Sequence, residues 1–492
     1  MTMLGTDRSR EAAVLAAVPT QLLIGGAWRD SSSGATIAVD DPATGRTLAH
    51  VADATAADGD AALAAAAAAQ GRWARTAPRD RGEILRRAYE TLVARVDDLA
   101  LLMTLEMGKS VAESRTEVLY AAEFFRWFSE EAVRISGRYS TSPDGRTRLL
   151  TTKRPVGPCL FITPWNFPMA MGTRKIGPAV AAGCTMVVKP ANQTPLSMLA
   201  LAQILIEAGL PDGVLNVVTT SATGEVMEPL IRDPRLRKLS FTGSTQVGQR
   251  LIEQSAQQLL RTSMELGGNA PFLVFDDADL DVAVDAAMAA KMRNGGQACT
   301  AANRFHVQDG VAEEFTRRLT ERMAAMTVGR GTEDSVDVGP LVDEAGRRKV
   351  DELVRDAVAQ GATVTTGGHR LDGPGYFYAP TVLDEVPWTA RILREEVFGP
   401  VAPITRFASE QDGVAMANAT EFGLAAYVFT RDVGRAFRVC EALEAGMVGL
   451  NQGVVSNPAA PFGGIKASGF GREGGAEGIE EYLETQYVGI AP

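Results

Sequence analysis

Three side chains sit where the local sequence would let them do covalent chemistry. Cys299 lies in "GGQACTAANR", just after Gly295 and Gly296. Glycines there leave room for a substrate and expose backbone N–H groups, so the thiol is a candidate nucleophile. A free thiol has pKa ~8.5, about 3% thiolate at pH 7, so that role needs donors or a base nearby. Glu265 precedes a glycine pair in "MELGGNAP", where desolvation would raise its pKa toward that of a general base. Asn166 stands between aromatic residues and prolines in "FITPWNFPM". A fixed amide donor there could hold an oxyanion, a contact worth roughly 3 to 4 kcal/mol. Each also has an ordinary reading: an inert core thiol, a solvated carboxylate, an amide bonding turn backbone.

Composition removes other chemistries. Four cysteines (Cys159, Cys184, Cys299, Cys440) in 492 residues, with no pairing pattern, fit reduced thiols. None of the three histidines, His50, His306 and His369, is in ligand spacing with a cysteine, so no metal is expected. A net charge of -11 argues against nucleic acid as a partner. The longest apolar tract, 61–69, is far short of the ~20 residues that span a bilayer, so no membrane segment is expected. Residues 1–20 read as a frayed extension; Asp7, Arg8, Arg10 and Glu11 spoil the order of a secretory signal, leaving cytoplasm as the default compartment.

The candidates need a frame that brings them together. From Lys153, short apolar runs ("CLFITP", "TMVVKP", "VLNVVTT", "LRKLSF") alternate with helix-length segments, the mark of βαβ units and a parallel sheet. A second alternation starts at "APFLVFDDADLDVAVDAAMAAKM" and runs to about residue 460, giving two α/β domains. A turn-rich hairpin and long helical patterns from about 56 to 134 precede them. Lys189, Asn192 and Thr194 follow a strand, at the edge where open α/β sheets bind ligands. In "KLSFTGSTQVGQRLIEQ" a strand, a Gly243–Ser244 turn and a helix opening at about Gln246 would present free N–H groups to a pyrophosphate. The spacing is not G-x-G-x-x-G, so an ordinary βα turn reads equally well, and on the local sequence alone a solvated strand-end lysine is the better reading of Lys189.

"TPWNFP", "VVKPANQTP", "FTGSTQVG", "MELGGNAPFLVF", "GQACTAANR", "EEVFGP" and "PFGGIKASGFGREGG", in that order, resemble the aldehyde dehydrogenase superfamily over essentially the whole chain after the first twenty residues. The resemblance implies two parallel-sheet α/β domains and a small β oligomerisation extension. Residues 21–130 and 153–265 would form a Rossmann-like NAD(P)-binding domain, 266–460 the catalytic domain, and 131–152 with 470–492 the extension bridging a homodimer or homotetramer. The implied chemistry is oxidation of a small-molecule aldehyde to the acid with NAD(P)+. Cys299 would attack the carbonyl, the Asn166 amide and Cys299 N–H would hold the oxyanion, and Glu265 would activate water against the thioester. Trp165, Lys189, Asn192, Gly243, Ser244, Glu396 and Phe398 would hold the cofactor. Relatives that pass the acyl group to coenzyme A lack the glutamate found here at 265, so hydrolysis is implied.

"TRKIGPAVAAGCTMVVKPANQTP", "RNGGQACTAANR" and "FRVCEALEAGMVGLNQGVVSNPAAPFGGIKASG" are most similar to the succinate-semialdehyde dehydrogenase branch. There two arginines and a serine hold the substrate's distal carboxylate; the matching residues are Arg174, Arg293 and Ser456. A guanidinium fork suits a carboxylate. Glutarate semialdehyde would use the same clamp, one methylene being worth only ~1 to 3 kcal/mol. Ala301 stands where relatives often carry a second, redox-active cysteine, so that switch is expected to be absent. Neutral Asn192 stands where strongly NAD-preferring relatives carry Glu; it removes the repulsion of a 2′-phosphate and admits NADP as well as NAD. A non-catalytic binding protein on the same fold is the reading from another class; joint retention of Cys299, Glu265, Asn166 and Lys189 speaks against it.

Overall fold

The computed structural model describes residues 3–491. Two open α/β sheets dominate it. In the first, five parallel strands lie in the spatial order Leu215–Val217, Met186–Lys189, Cys159–Ile162, Lys238–Thr242, Arg261–Glu265. The first four of these are buried at every position, as strands covered on both faces by helices must be. The chain begins at Cys159–Ile162, steps outward on one side, then returns to Lys238–Thr242 on the other. The order therefore reverses between those two strands, and a crevice opens at their carboxyl ends, where such sheets bind ligands. The loops leaving them carry Trp165 and Asn166 on one side, Gly243 and Ser244 on the other.

The second sheet runs Thr363–Thr366, Thr381–Asp384, Val401–Phe407, Ala302–Gln308, Ala270–Val274, Ala425–Phe429, Met447–Leu450, antiparallel only at its Thr363–Thr366 edge. Phe272 stacks on Phe429 at 4.5 Å in its core. Glu265 ends the last parallel strand of the first sheet and Ala270 begins a strand of the second, so the glycine pair spans the joint. A Cβ on Gly268 would come within 2.3 Å of the Cys299 carbonyl oxygen, which is why that joint is built from glycine.

A third, antiparallel sheet joins Leu483–Ile490, Arg148–Pro155 and Arg138–Thr141. Its middle strand pairs as far as Pro155, past the boundary expected at 152, because all eight residues of the C-terminal strand find partners. The N-terminal segment expected to fray contains a helix, Met3–Ala16. Val14 is buried, Leu15 and Val18 pack on the first domain, and Glu11 pairs with Arg330 at 2.9 Å. Among the described residues no helix is long and apolar enough to cross a membrane.

Candidate active site

A cleft of about 390 Å³ opens at the crevice, walled by Trp165, Asn166, Gly243, Ser244, Glu265, Glu396 and Phe398, with Cys299 beside them. Cys299 reaches it through a tight reversal. The helix Leu280–Met292 stops, and Asn294, Gly295 and Gly296 follow at φ 55, 59 and 77°. That left-handed backbone strains residues with a Cβ. At Gly296 a Cβ would also lie 2.1 Å from the Gly399 carbonyl oxygen. Gln297 Oε1 accepts from Val342 N–H at 3.0 Å and Tyr427 Oη donates to the Thr300 carbonyl at 2.8 Å, bracing the loop on both sides of the thiol. Burial pushes the Cys299 thiol up to about 12; Arg174 opposes this, Glu396 and Glu265 add to it, and Arg293 opposes it. At neutral pH the thiol holds its proton.

The Asn166 amide is fixed, but by partners from distant segments rather than by its flanking prolines. Its Nδ2 donates to the Gln297 carbonyl at 3.0 Å, while the backbone carbonyl of Asn166 accepts from Lys109 Nζ at 2.8 Å and Asn294 Nδ2 at 2.9 Å. An amide nitrogen carries two hydrogens, so one remains for a substrate oxygen. Lys109 is itself held by a buried ion pair with Glu117, whose other oxygen accepts the Met169 and Ala170 N–H groups opening the next helix.

Glu265 is 3% exposed, and neither carboxyl oxygen has a hydrogen-bond partner. Burial, and then the Glu473 carboxylate, raise its pKa well above the usual range against the pull of Arg174, Lys175 and Arg472. Glu473 in turn accepts from Lys175 Nζ and lies 2.7 Å from Arg174 Nη2. Of the three residues expected to grip a substrate carboxylate, Arg174 pairs with Glu473 and stacks on Phe462 at 3.7 Å, while its Nε and Nη2 have no hydrogen-bond partner among the described residues. Arg293 and Ser456 share the wall of a second cavity, of about 680 Å³, with Tyr120 and Phe167. The Arg293 guanidinium lies over the Phe167 ring at 4.7 Å, and among the described residues no carboxylate pairs with it. Lys175 and Glu473 were not singled out by sequence reasoning. The available signal was a pair of cations at the head of an otherwise apolar, small-residue helix, Ala170–Ala182, buried at every position.

The dinucleotide side fits an anionic cofactor. Ser244 precedes the helix Thr245–Ser255 without capping it, leaving its first N–H groups for an external acceptor. At Gly243 a Cβ would meet the Phe241 ring at 2.4 Å. Lys189 is buried, its pKa lowered to about 8 by desolvation, and no carboxylate pairs with it among the described residues. Glu396 accepts Gly268 N–H at 3.2 Å, and burial raises its pKa to about 7. Trp165 meets Phe398 edge-on at 5.3 Å. Asn192 Oδ1 is buried without a partner; Asn192 and Lys189 stand one strand outward and do not line the cleft.

Residues 28–488 match the model of the aldehyde dehydrogenase family. A succinate-semialdehyde dehydrogenase of Paenarthrobacter nicotinovorans is 62% identical over 444 residues, 90% of this chain and 99% of the relative. A glutarate-semialdehyde dehydrogenase of Pseudomonas putida is 51% identical over 471 residues, 96% of this chain and 98% of the relative. The crystal structure of an E. coli NADP dependent enzyme superposes with a TM-score of 0.95 at 51% identity, over 96% of this chain and 98% of that one. A cleft at the switch point, a thiol at its end and a likeness in sequence and fold that runs nearly end to end agree: the chain belongs to the aldehyde dehydrogenase family.

Proposed function

We propose that the protein oxidises succinate semialdehyde to succinate with NADP+ or NAD+, using Cys299 as nucleophile and Glu265 as base. The observation that carries the substrate class is Arg293, a guanidinium without a carboxylate partner among the described residues, sharing with Ser456 a cavity separate from the cofactor cleft. A bidentate pair with the distal carboxylate of an aldehyde would satisfy it.

With the aldehyde so held, Sγ of Cys299 bonds to the carbonyl carbon and its proton passes to Glu265, whose oxygens are free of other partners. The carbonyl electron pair moves onto oxygen, where the second Asn166 N–H and the Cys299 N–H stabilise it. A bound NAD(P)+ would supply the hydride acceptor for that carbon, and Cys299 would then carry an acyl thioester. Glu265 gives the thiol's proton up to solvent and, again a carboxylate, takes a proton from the water that attacks the thioester carbon; the carboxylic acid departs and the sulfur leaves as thiolate, reprotonated from Glu265. The Gly243–Ser244 turn would face the diphosphate, Lys189 and Glu396 the ribose hydroxyls, Trp165 and Phe398 the nicotinamide end, and Asn192 the adenosine ribose. The exposed Tyr139 and Tyr487 of the three-stranded sheet, 66% and 59% accessible, support assembly through that sheet as a homodimer or homotetramer.

Glutarate semialdehyde is the second reading, supported by the Pseudomonas putida relative and by a cavity of about 680 Å³, roomy for either acid. The ratio of kcat/KM for the two semialdehydes, each run with NAD+ and NADP+, decides between them. Arg293→Ala is expected to raise KM for succinate semialdehyde roughly 10- to 100-fold, the weight of a charged hydrogen-bonded pair, and to change butanal oxidation little. Equal losses on both would remove the carboxylate clamp. For the cofactor, Asn192→Glu places a carboxylate where the 2′-phosphate would sit. KM for NADP+ should rise on the order of tenfold or more while that for NAD+ holds, as like charges repel; parallel changes would exclude Asn192 from the ribose site.

A further inference from the structure

Arg293 and Ser456 share their cavity wall with a residue that the expected clamp does not include, Tyr120. We propose that the Tyr120 hydroxyl is a third donor to the distal carboxylate, alongside Arg293 and Ser456, and helps make the pocket selective for an anionic terminus. The inference rests on the substrate class proposed above.

Tyr120 belongs to the helix Val111–Glu131 and lines the cavity that contains Arg293 and Ser456. Its ring is held edge-on against Phe124, centroids 5.0 Å apart, and the Arg293 guanidinium lies over it at 5.6 Å. On the far side Phe124 carries the Arg174 guanidinium at 5.8 Å, and Tyr120 lies within electrostatic reach of Arg174. Two guanidinium groups thus lie near the ring, Arg293 over it in the cavity wall and Arg174, paired with Glu473, over the neighbouring Phe124.

The hydroxyl is buried and has no hydrogen-bond partner among the described residues. A buried phenol O–H ordinarily finds one, so its satisfaction is reserved for something the cavity takes up. Both neighbouring guanidinium groups are pure donors and cannot accept its hydrogen. What suits a donor flanked by cations is an anionic acceptor. A carboxylate has about four lone-pair sites on its two oxygens, more than Arg293 and Ser456 need fill. An alkyl terminus offers the phenol nothing.

Tyr120→Phe deletes the hydroxyl and keeps the ring. With succinate semialdehyde, KM is expected to rise about tenfold with kcat little changed, and succinate should weaken as a competitive inhibitor in parallel. Butanal, the uncharged counterpart of the same length, should keep its kcat/KM. The melting temperature should hold or rise, since the hydroxyl has no internal bond to lose. A fall of several degrees would mean that the hydroxyl is bonded within the protein, and equal losses on both aldehydes, or none on either, would overturn the assignment. If the unmodified enzyme fails to prefer succinate semialdehyde over butanal, the substrate class itself falls. If that preference stands and Arg293→Ala removes it while Tyr120→Phe is silent, only this inference falls.

Discussion

Cys299→Ser is expected to lower kcat/KM for aldehyde oxidation by about 10⁴ or more, while dinucleotide binding and fold persist. The serine hydroxyl is far harder to ionise than a thiol, and its neighbourhood is already unfavourable to an anion: burial raises the thiol to about 12, and Glu396 and Glu265 add to burial, so serine would remain protonated and weakly nucleophilic. The same electrostatics set a pH dependence with a definite sign. Below its pKa the thiolate fraction grows tenfold for each pH unit. Alkylation of Cys299 by iodoacetamide in the ligand-free enzyme should therefore accelerate about tenfold per unit from pH 7 to pH 10 without levelling. Peptide mapping separates it from Cys159 and Cys184, which are buried, and from Cys440. A plateau near pH 8 would mean that Arg174 and Arg293 outweigh burial. Serine activity within a hundredfold of the parent would remove Cys299 as nucleophile.

The sequence made the carboxyl ends of the strands legible because their signals are local. An apolar run followed by Pro164, Trp165 and Asn166, or by Gly243 and Ser244, describes a strand end and its loop without knowledge of the rest of the chain. Two such loops meet because the order of strands reverses between them, and the alternation of short apolar runs with helices already implied such a sheet. Glu265 and Gly268 were readable as a joint for a similar reason: a glycine pair between two α/β alternations has few other uses.

What was not legible depends on contacts between distant segments. Glu473 reaches Lys175 and Arg174 across a separation of 298 residues from Lys175, and that pairing decides whether Arg174 faces substrate or interior. Sequence similarity can align Arg174 with a clamp position; it cannot say which way the guanidinium is committed. Lys109 and Glu117 were passed over because each looks like a solvated helix charge, yet together they hold the carbonyl of Asn166 and cap the next helix. The N-terminal helix was missed because its charged first half outweighs the few apolar residues, Val14 among them, that anchor it.

Glu265→Gln should separate the two proton transfers assigned to that residue. Glutamine keeps the shape and cannot accept a proton, so steady-state turnover is expected to fall by about 10² to 10⁴. At pH 7 the first step suffers too, because the thiol at about 12 loses its acceptor. At pH 10 hydroxide can deprotonate the thiol without a carboxylate, so mixing enzyme, cofactor and succinate semialdehyde should give a burst of about one equivalent of reduced cofactor per site, followed by slow turnover. Proton transfer to hydroxide is fast whereas its addition to the thioester carbon is slow, so without a base to activate the attacking water the acyl adduct should accumulate on the Cys299 peptide, visible by mass. In the parent enzyme, burial and then Glu473 raise the pKa of Glu265, so kcat should climb with pH as it ionises, and Glu265→Gln should flatten that climb. Absence of the burst at pH 10 would place Glu265 wholly before the thioester. Full turnover at either pH would exclude it as the base.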